Sequence, residues 1–260
     1  MLKRMKYPKS ILAALAIATV VFQGTLSAQT TVPPATPAGH VNSAIIPVPR
    51  TGGITNRQTL VLQRAKEAPG DYDIEFIGDS ITQGWEGGGK NVWAENYGHR
   101  KVINMGVSGD RTEHVLWRFE NGQLTSIKAK VAVVMIGTNN SGKNKDGSDS
   151  YTDNDILDGV TAIVTQIRTR QPDTKILLLG IFPRGKTFNA QRGRLLEINQ
   201  ALARLEDRKN IFYLDFGSQY IEDDGSISKT IMPDALHPNE AGYKIWAAAM
   251  EPKLKQLLGE

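Results

Sequence analysis

The chain of 260 residues contains no cysteine. That excludes a disulfide framework, a thiolate metal site and a cysteine nucleophile. It also lacks a long hydrophobic run. The longest, ILAALAIATVVF at 11–22, has 12 residues, well short of the roughly 20 that a membrane-spanning helix needs. The first 28 residues hold no acid but carry Lys3, Arg4, Lys6 and Lys9. Without those four, 27 basic residues face 27 acidic ones, so the net charge of +4 belongs to the N-terminus. A neutral remainder offers no basic field for nucleic acid. With 40% apolar and 22% charged residues, the chain is not disordered, collagen-like or a long coiled coil. No internal repeat of useful length is present.

A basic stretch, an apolar run and then Ser27-Ala28 form the three-part pattern of a secretory leader. Residues 1–28 are therefore expected to be a signal peptide cut near Ala28, although Leu26 at the minus-three position is not the small residue such a site favours. An uncleaved anchor is the alternative, and the short run argues against it. The expected location is secreted or periplasmic, with no stable membrane insertion after cleavage. Residues 29–50 hold five of the 12 prolines and read as an extended, Pro-rich linker.

From about residue 54 a regular alternation begins. ITNRQTLVLQRAKEA reads as a helix stopped by Pro69-Gly70. Five short, almost continuously apolar runs follow: IEFIG (74–78), VINMG (102–106), VAVVMIG (131–137), KILLLGIF (175–182) and IFYLDF (211–216). Strands buried on both faces have this character. Between them, DNDILDGVTAIVTQIRTR places Ile156, Val160, Ile163, Val164 and Ile167 on one helical face. The last stretch, NEAGYKIWAAAMEPKLKQLL, aligns Tyr243, Trp246, Met250 and Leu254, with Pro252 expected to bend or interrupt it. Strands alternating with helices predict an α/β domain over 51–260. It is expected to be doubly wound and flavodoxin-like, with a five-stranded parallel sheet of order 2-1-3-4-5 and helices on both faces.

Ligands of such sheets bind beyond the carboxyl ends of the strands, where the strand order reverses. The first three strands run into Gly78-Asp79-Ser80, Gly106-Val107-Ser108-Gly109-Asp110 and Gly137-Thr138-Asn139-Asn140. In the order 2-1-3, Ser80 stands between a glycine-rich turn and Asn139. A hydroxyl flanked by amide donors suits acyl transfer: the hydroxyl attacks a carbonyl and the amides receive the oxyanion. Ser108 is a rival without donors on both sides. Spacing alone does not choose between Gly106 and Gly109. Of the four histidines, His237 follows strand five on the same sheet edge, and Asp234, three residues earlier, can hold its ring.

Together GDS at 78–80, the glycine of GVSGD, GTNN at 137–140 and DALH at 234–237 resemble the blocks of the SGNH/GDSL hydrolase family. GDRTEHVLWRFENGQL, VVMIGTNN and GIFPRG resemble its branch related to the platelet-activating-factor acetylhydrolase catalytic subunit. The resemblance implies Ser80 as nucleophile, His237 as base, Asp234 as its partner, and an oxyanion hole of Ser80, Gly109 and Asn139. It implies an ester hydrolase needing no cofactor and no metal, acting on a small-molecule or polysaccharide ester. Ile81 and Leu236 adjoin the nucleophile and base in sequence. Facing the acyl group, they would leave room only for a short chain such as acetyl.

Each member also has a plainer reading. Gly-Asp-Ser is a common turn and cap, and Asp234 and His237 could be a cap and a surface residue. The alternatives to a short-acyl esterase of carbohydrate or lipid are a lysophospholipase or thioesterase-type activity, and a non-catalytic binding module on the same fold. Gly84–Lys90 has phosphate-loop spacing, but Asn91 stands where Ser or Thr is required and no strand leads directly into it. Arg184, Lys186, Arg192 and Arg194 cluster after strand four, as an anion-binding group or a solvated loop. The polar loop 141–152 reads as a rim of the site or an ordinary connection.

Overall fold

Alternate residues of the apolar runs go to opposite faces of one sheet, and both faces are covered. The computed structural model describes residues 39–51, 55–67 and 70–260. The expected signal peptide and the first part of the expected linker lie outside the described residues. The strands are β1 (Gly70–Gly78), β2 (Val102–Asn104), β3 (Ile127–Met135), β4 (Lys175–Leu179) and β5 (Ile211–Leu214). All neighbours pair in parallel, in the order β2-β1-β3-β4-β5. The α-helices are α1 (Thr55–Glu67), α2 (Ser80–Gln83), α3 (Lys90–Tyr97), α4 (Thr112–Glu120), α5 (Gln123–Ser126), α6 (Asp153–Arg170), α7 (Ala190–Leu202) and α8 (Glu240–Leu258).

One face takes Ile74, Phe76, Val131, Val133, Leu177 and Leu179 against Trp85 and the α8 side chains Trp246, Met250 and Leu254. The other takes Ile77, Ala132, Val134, Ile176 and Leu178 against α4, α6 and α7. Helix α1 closes the β2 side, packing Val61 and Ala65 on Ile103 and Met105. Each fully buried aliphatic or aromatic side chain contributes about 1.5–3 kcal/mol.

Helix α6 is the expected one, residue for residue. It starts at a capping box, with the Asp155 amide donating to Thr152 Oγ1 (3.1 Å) and the Thr152 amide to Asp155 Oδ2 (2.8 Å). Helix α8 runs through Pro252 without interruption, so of the two outcomes expected there the break does not occur. Pro252 and Ala248, whose carbonyl loses its helical donor, are both exposed, so water can replace that donor. Strands β1 and β3 begin four residues before the apolar runs do. Their ladder extends back through Asp71, Lys128 and Tyr72 to Gly70 and Ile127, where polar side chains mask the pattern.

The N-terminal boundary also moves. Residues 41–50, read as the end of the linker, pack on the domain. Ala44 is buried. Its carbonyl accepts from Thr112 Oγ1 (2.9 Å), and the Arg50 amide donates to Gln58 Oε1 (2.8 Å). The domain therefore begins near Val41.

Two features fix the sheet edge that carries the site. Gly106 follows β2 where α2 crosses it, and a Cβ there would lie 2.4 Å from the Gln83 amide nitrogen and 2.8 Å from the Thr82 carbonyl carbon. Behind the same turn runs a buried polar chain. Gln123 Nε2 donates to Glu75 Oε1 (2.8 Å), Arg118 Nε to Gln123 Oε1 (3.0 Å), and Arg118 pairs with Asp110. Burial pushes the Glu75 carboxyl up from 4.5 to about 7, against the pull of Gln123 and Arg118.

Gly106→Ala should destabilise by about 1–3 kcal/mol in urea unfolding, because backbone must move. Gly193→Ala in α7, where a Cβ meets nothing within 4 Å, should stabilise by about 0.5–1 kcal/mol. A carboxyl that holds its proton more tightly folded than unfolded makes stability fall as pH rises between the two pKa values. The melting temperature of Glu75→Gln relative to the parent should therefore climb in calorimetry as pH rises from about 4.5 to about 7, then level off.

Candidate active site

Strand β1 ends in a turn whose side chain caps the next helix. Asp79 Oδ1 accepts from the Ile81 amide (2.9 Å), and Tyr243 Oη from α8 donates to the Ile81 carbonyl (2.6 Å). These bonds set the first turn of α2 and leave Ser80 partly exposed at its start. The Ser80 hydroxyl reaches His237 Nε2 at 2.9 Å. His237 Nδ1 lies 2.7 Å from Asp234 Oδ2. With the ring proton on Nδ1 held by the carboxylate, Nε2 is free to accept from the hydroxyl.

The loop that carries His237 is folded around Asp234. Its Oδ1 accepts from the amides of His237 (2.8 Å) and Leu236 (3.1 Å). Ala235 sits at φ +57°, a left-handed conformation costing a non-glycine residue about 1–2 kcal/mol. It is held by two backbone bonds, Ala235 N–H to Met232 O (2.8 Å) and Gly185 N–H to Ala235 O (2.9 Å). Strain of this kind, pinned from both sides, is characteristic of functional loops. Burial tends to raise the Asp234 carboxyl, but bonds from the His237 ring and amide outweigh it, and the group stays below the ordinary aspartate value.

The buried Asp79 behaves oppositely. Burial pushes it up to about 6, moderated by the bond from the Ile81 amide and by the Arg184 charge. Arg184 was read from the sequence as part of a charged loop. It is half-buried, donates from Nη1 to the Thr138 carbonyl (3.0 Å), and lies in the field of both Asp79 and Asp234.

Gly109 and Asn139 are joined. Gly109 adopts φ +73° in the turn closed by Asp110 N–H to Val107 O (3.1 Å), and the turn docks on β1 through Val107 N–H to Gly78 O (3.1 Å). Asn139 Nδ2 donates to the Asp110 carbonyl (2.8 Å). Gly106 instead packs on α2, and its amide donates to Asn104 Oδ1 (2.9 Å).

A cleft of about 380 Å³ opens beside the serine, lined by Ser80, Gln83, Gly84, Glu86, Gly87 and Ser108. The Ser108 amide is capped by Gln83 Oε1 (2.7 Å). Arg57 and Arg64 grip Glu86, and their bonds hold its carboxyl at about 2 against the cost of burial. The glycine-rich segment that mimicked a phosphate loop is thus a wall of this cleft. Ile81 and Leu236 are not on its lining. Ile81 is 1% exposed, in the core with Phe76 and Trp85, and Leu236 packs against the same cluster. The side chain of Ile81 is turned from the cleft because α2 presses its first turn into the core, while Leu236, in the loop before α8, stays partly exposed.

The cluster after β4 is spoken for as well. Arg192 donates to the Gly225 carbonyl (2.6 Å) and the Gly185 carbonyl (2.5 Å), and Arg194 pairs with Asp153 (2.6 Å). With Arg184 on Thr138, these three guanidiniums hold loops together. Among the described residues, no group of three His, Asp or Glu side chains is placed to hold a metal ion.

A hydroxyl bonded to a neutral imidazole, whose far nitrogen is fixed by a carboxylate, can lose its proton as it attacks an electrophilic carbon. Comparison with known proteins gives the class of reaction. The GDSL-like lipase/acylhydrolase family matches residues 76–245. Platelet-activating factor acetylhydrolase IB subunit alpha2 of Homo sapiens is 38% identical over 189 residues, covering 72% of this chain and 78% of its own. The alpha1 subunit of the same organism is 34% identical over 189 residues. Among solved structures, a GDSL-like lipase of Bacteroides thetaiotaomicron superposes with a TM-score of 0.64 at 17% identity, covering 78% of this chain and 98% of its own. An acetyl xylan esterase superposes with a TM-score of 0.59 at 22% identity, covering 69% and 98%. The sheet, the strand-end turns and the matched span agree: the chain belongs to the GDSL-like lipase/acylhydrolase family and is a hydrolase of esters.

Proposed function

We propose that this protein is an exported serine esterase that removes short acyl groups, acetyl above all, from a carbohydrate alcohol. The observation that carries the reading is the hydrogen-bonded row Ser80–His237–Asp234, whose serine lines a cleft made otherwise by Gln83, Gly84, Glu86, Gly87 and Ser108. His237 takes the Ser80 proton as Oγ attacks the ester carbonyl. The oxyanion is received by the amides of Ser80 and Gly109 and by Asn139 Nδ2. His237 then protonates the departing alcohol, and water cleaves the acyl-enzyme by the same steps in reverse.

The cleft chemistry supports the choice of alcohol. Hydroxyl, amide and carboxylate groups with bare glycine backbone can satisfy a polyol, whereas a lipid chain needs apolar wall. The names of the relatives, platelet-activating factor acetylhydrolase and acetyl xylan esterase, both specify acetyl. With Ile81 in the core, the acyl preference rests on those names and on the small size of the cleft at Ser80. Export rests on the basic and then apolar pattern of residues 1–28.

Ser80→Ala should lower turnover by about 10⁶-fold, and Asp234→Asn by about 10²–10⁴-fold with little change in melting temperature. A fluorophosphonate should label Ser80 in the parent. Normal turnover by Ser80→Ala refutes the nucleophile, and a parent that is both unlabelled and inactive leaves a binding module. On a panel of acetyl xylooligosaccharides, acetyl glycerolipids and 4-nitrophenyl decanoate, kcat/KM should favour the first by at least about tenfold. Equal rates on decanoyl and acetyl esters overturn the acyl assignment. Exported protein should have an intact mass that begins near residue 29, and a mass beginning at Met1 refutes cleavage.

A further inference from the structure

Beyond the last residue of β2 two backbone bonds still tie the chain to β1, Met105 N–H to Phe76 O (2.8 Å) and Val107 N–H to Gly78 O (3.1 Å), and the second stops two residues short of Gly109. Arginines add further support. Arg64 Nη1 donates to the Asn104 carbonyl (3.2 Å), Arg118 Nη2 to Met105 (3.2 Å), Arg57 Nε to Gly106 (3.0 Å) and Arg50 Nη1 to Gly109 (3.0 Å). Arg50, Arg57 and Arg64 all precede residue 76, where the family match begins. Arg57 and Arg64 lie two turns apart on one face of α1. Arg50 belongs to the segment that packs ahead of α1.

Arg50 differs from the others in what it touches. Its Nη1 holds the Gly109 carbonyl, and its Nε faces Asp110 Oδ1 at 3.8 Å. Asp110 is fully buried, pairs with Arg118, and accepts Asn139 Nδ2 on its carbonyl. The dipeptide Gly109–Asp110 therefore contains one oxyanion donor of the reading above and aims another, and Arg50 grips it from behind.

We propose that Arg50 is a positioning residue for the oxyanion site: by holding the Gly109 carbonyl and facing the Asp110 carboxylate it restrains the torsions on either side of that peptide, and so the neighbouring peptide planes that carry the Gly109 amide and the carbonyl on which Asn139 rests. The inference rests on the oxyanion roles assigned to those two residues. Donors accelerate acyl transfer only when they are held in place before charge develops, and loss of that order falls on the transition state rather than on substrate binding. Glycine at φ +73° has no side chain to limit its torsions, so an external clamp is the physical means of holding it. A guanidinium can hold the carbonyl and face the carboxylate at once; an ammonium reaches one of them.

The test uses the full-length protein with 4-nitrophenyl acetate, counting active sites by fluorophosphonate titration. Arg50→Gln should lower kcat per titrated site by about 10–100-fold with KM within about twofold, and should weaken a trifluoromethyl ketone, which forms the tetrahedral adduct, by the same factor. Arg50→Lys should recover part of the loss. A purely structural arginine would lower the melting temperature and the number of titrated sites but leave kcat per site unchanged. Arg50→Gln within threefold of the parent, or a rise in KM at constant kcat, overturns the inference. Asn139→Ala separates the two levels. If it costs about 10²–10³-fold while Arg50→Gln costs nothing, the oxyanion reading stands and the clamp falls. If neither costs anything, both fall. Should Arg50→Gln fail to fold, Arg50→Lys decides: kcat per site reduced about 3–10-fold at unchanged KM supports the clamp, and an unchanged kcat overturns it.

Discussion

The bond from Ser80 to His237 closes a contact between residues 157 positions apart. The usefulness of this edge of the sheet depends on it. Neither partner is held by a strand. Ser80 is fixed because Asp79 caps α2 and Tyr243 takes the next carbonyl. His237 is fixed because Asp234 gathers two amides and a ring nitrogen onto one carboxylate. Tyr243 and His237 flank the start of α8, whose Asn239 caps the helix and ties back to the Thr230 carbonyl (2.9 Å). Packing of α8 through Trp246, Met250 and Leu254 thus bears directly on the geometry of the imidazole.

The sheet supplies the distance scale and the loops supply the aim. Parallel pairing brings the ends of β2, β1 and β3 side by side at about 4.8 Å intervals, which is why turns far apart in the chain can surround one reacting carbon. Their exact orientation is set by polar groups placed inside the protein. Glu75, Gln123, Arg118 and Asp110 form a chain that is fully or almost fully buried behind the Gly109 turn. Such a chain is costly to desolvate, and removing one charge of a buried pair costs about 3–5 kcal/mol. Its use here is placement, since Arg118 and Asp110 brace the turn beyond its last backbone bond to β1, Val107 N–H to Gly78 O.

The fold was legible because double burial makes a strand visible as an apolar run and because helices such as α6 announce both their face and their cap. The Ser80, His237 and Asp234 positions were legible because each follows a strand end on one edge. What escaped has a common cause. Arg50, Arg184 and the stretch 41–50 act through guanidinium-to-carbonyl and backbone bonds, which leave no periodicity, so a proline-rich segment looked like a tether and a half-buried arginine like a solvated one. Ile81 was misplaced for the converse reason. Adjacency to Ser80 in sequence carries no information about direction, and in the first turn of a helix the next side chain points away by about 100°. Pro252 was tolerated because the carbonyl it frees is on the wet side of α8, a fact about orientation that the sequence position alone does not hold.

The span matched by the family, 76–245, is accordingly shorter than the unit that works. Ahead of it, Arg50, Arg57 and Arg64 hold carbonyls of the β2 turn, and Arg57 and Arg64 also fix Glu86 in the cleft. Behind it, Trp246, Met250 and Leu254 are buried against the sheet. In the proposed reaction a hydroxyl, an imidazole and a carboxylate carry the chemistry, but each is only as well placed as the elements outside the motif make it. Side chains that never approach the substrate therefore decide how much of that chemistry is realised.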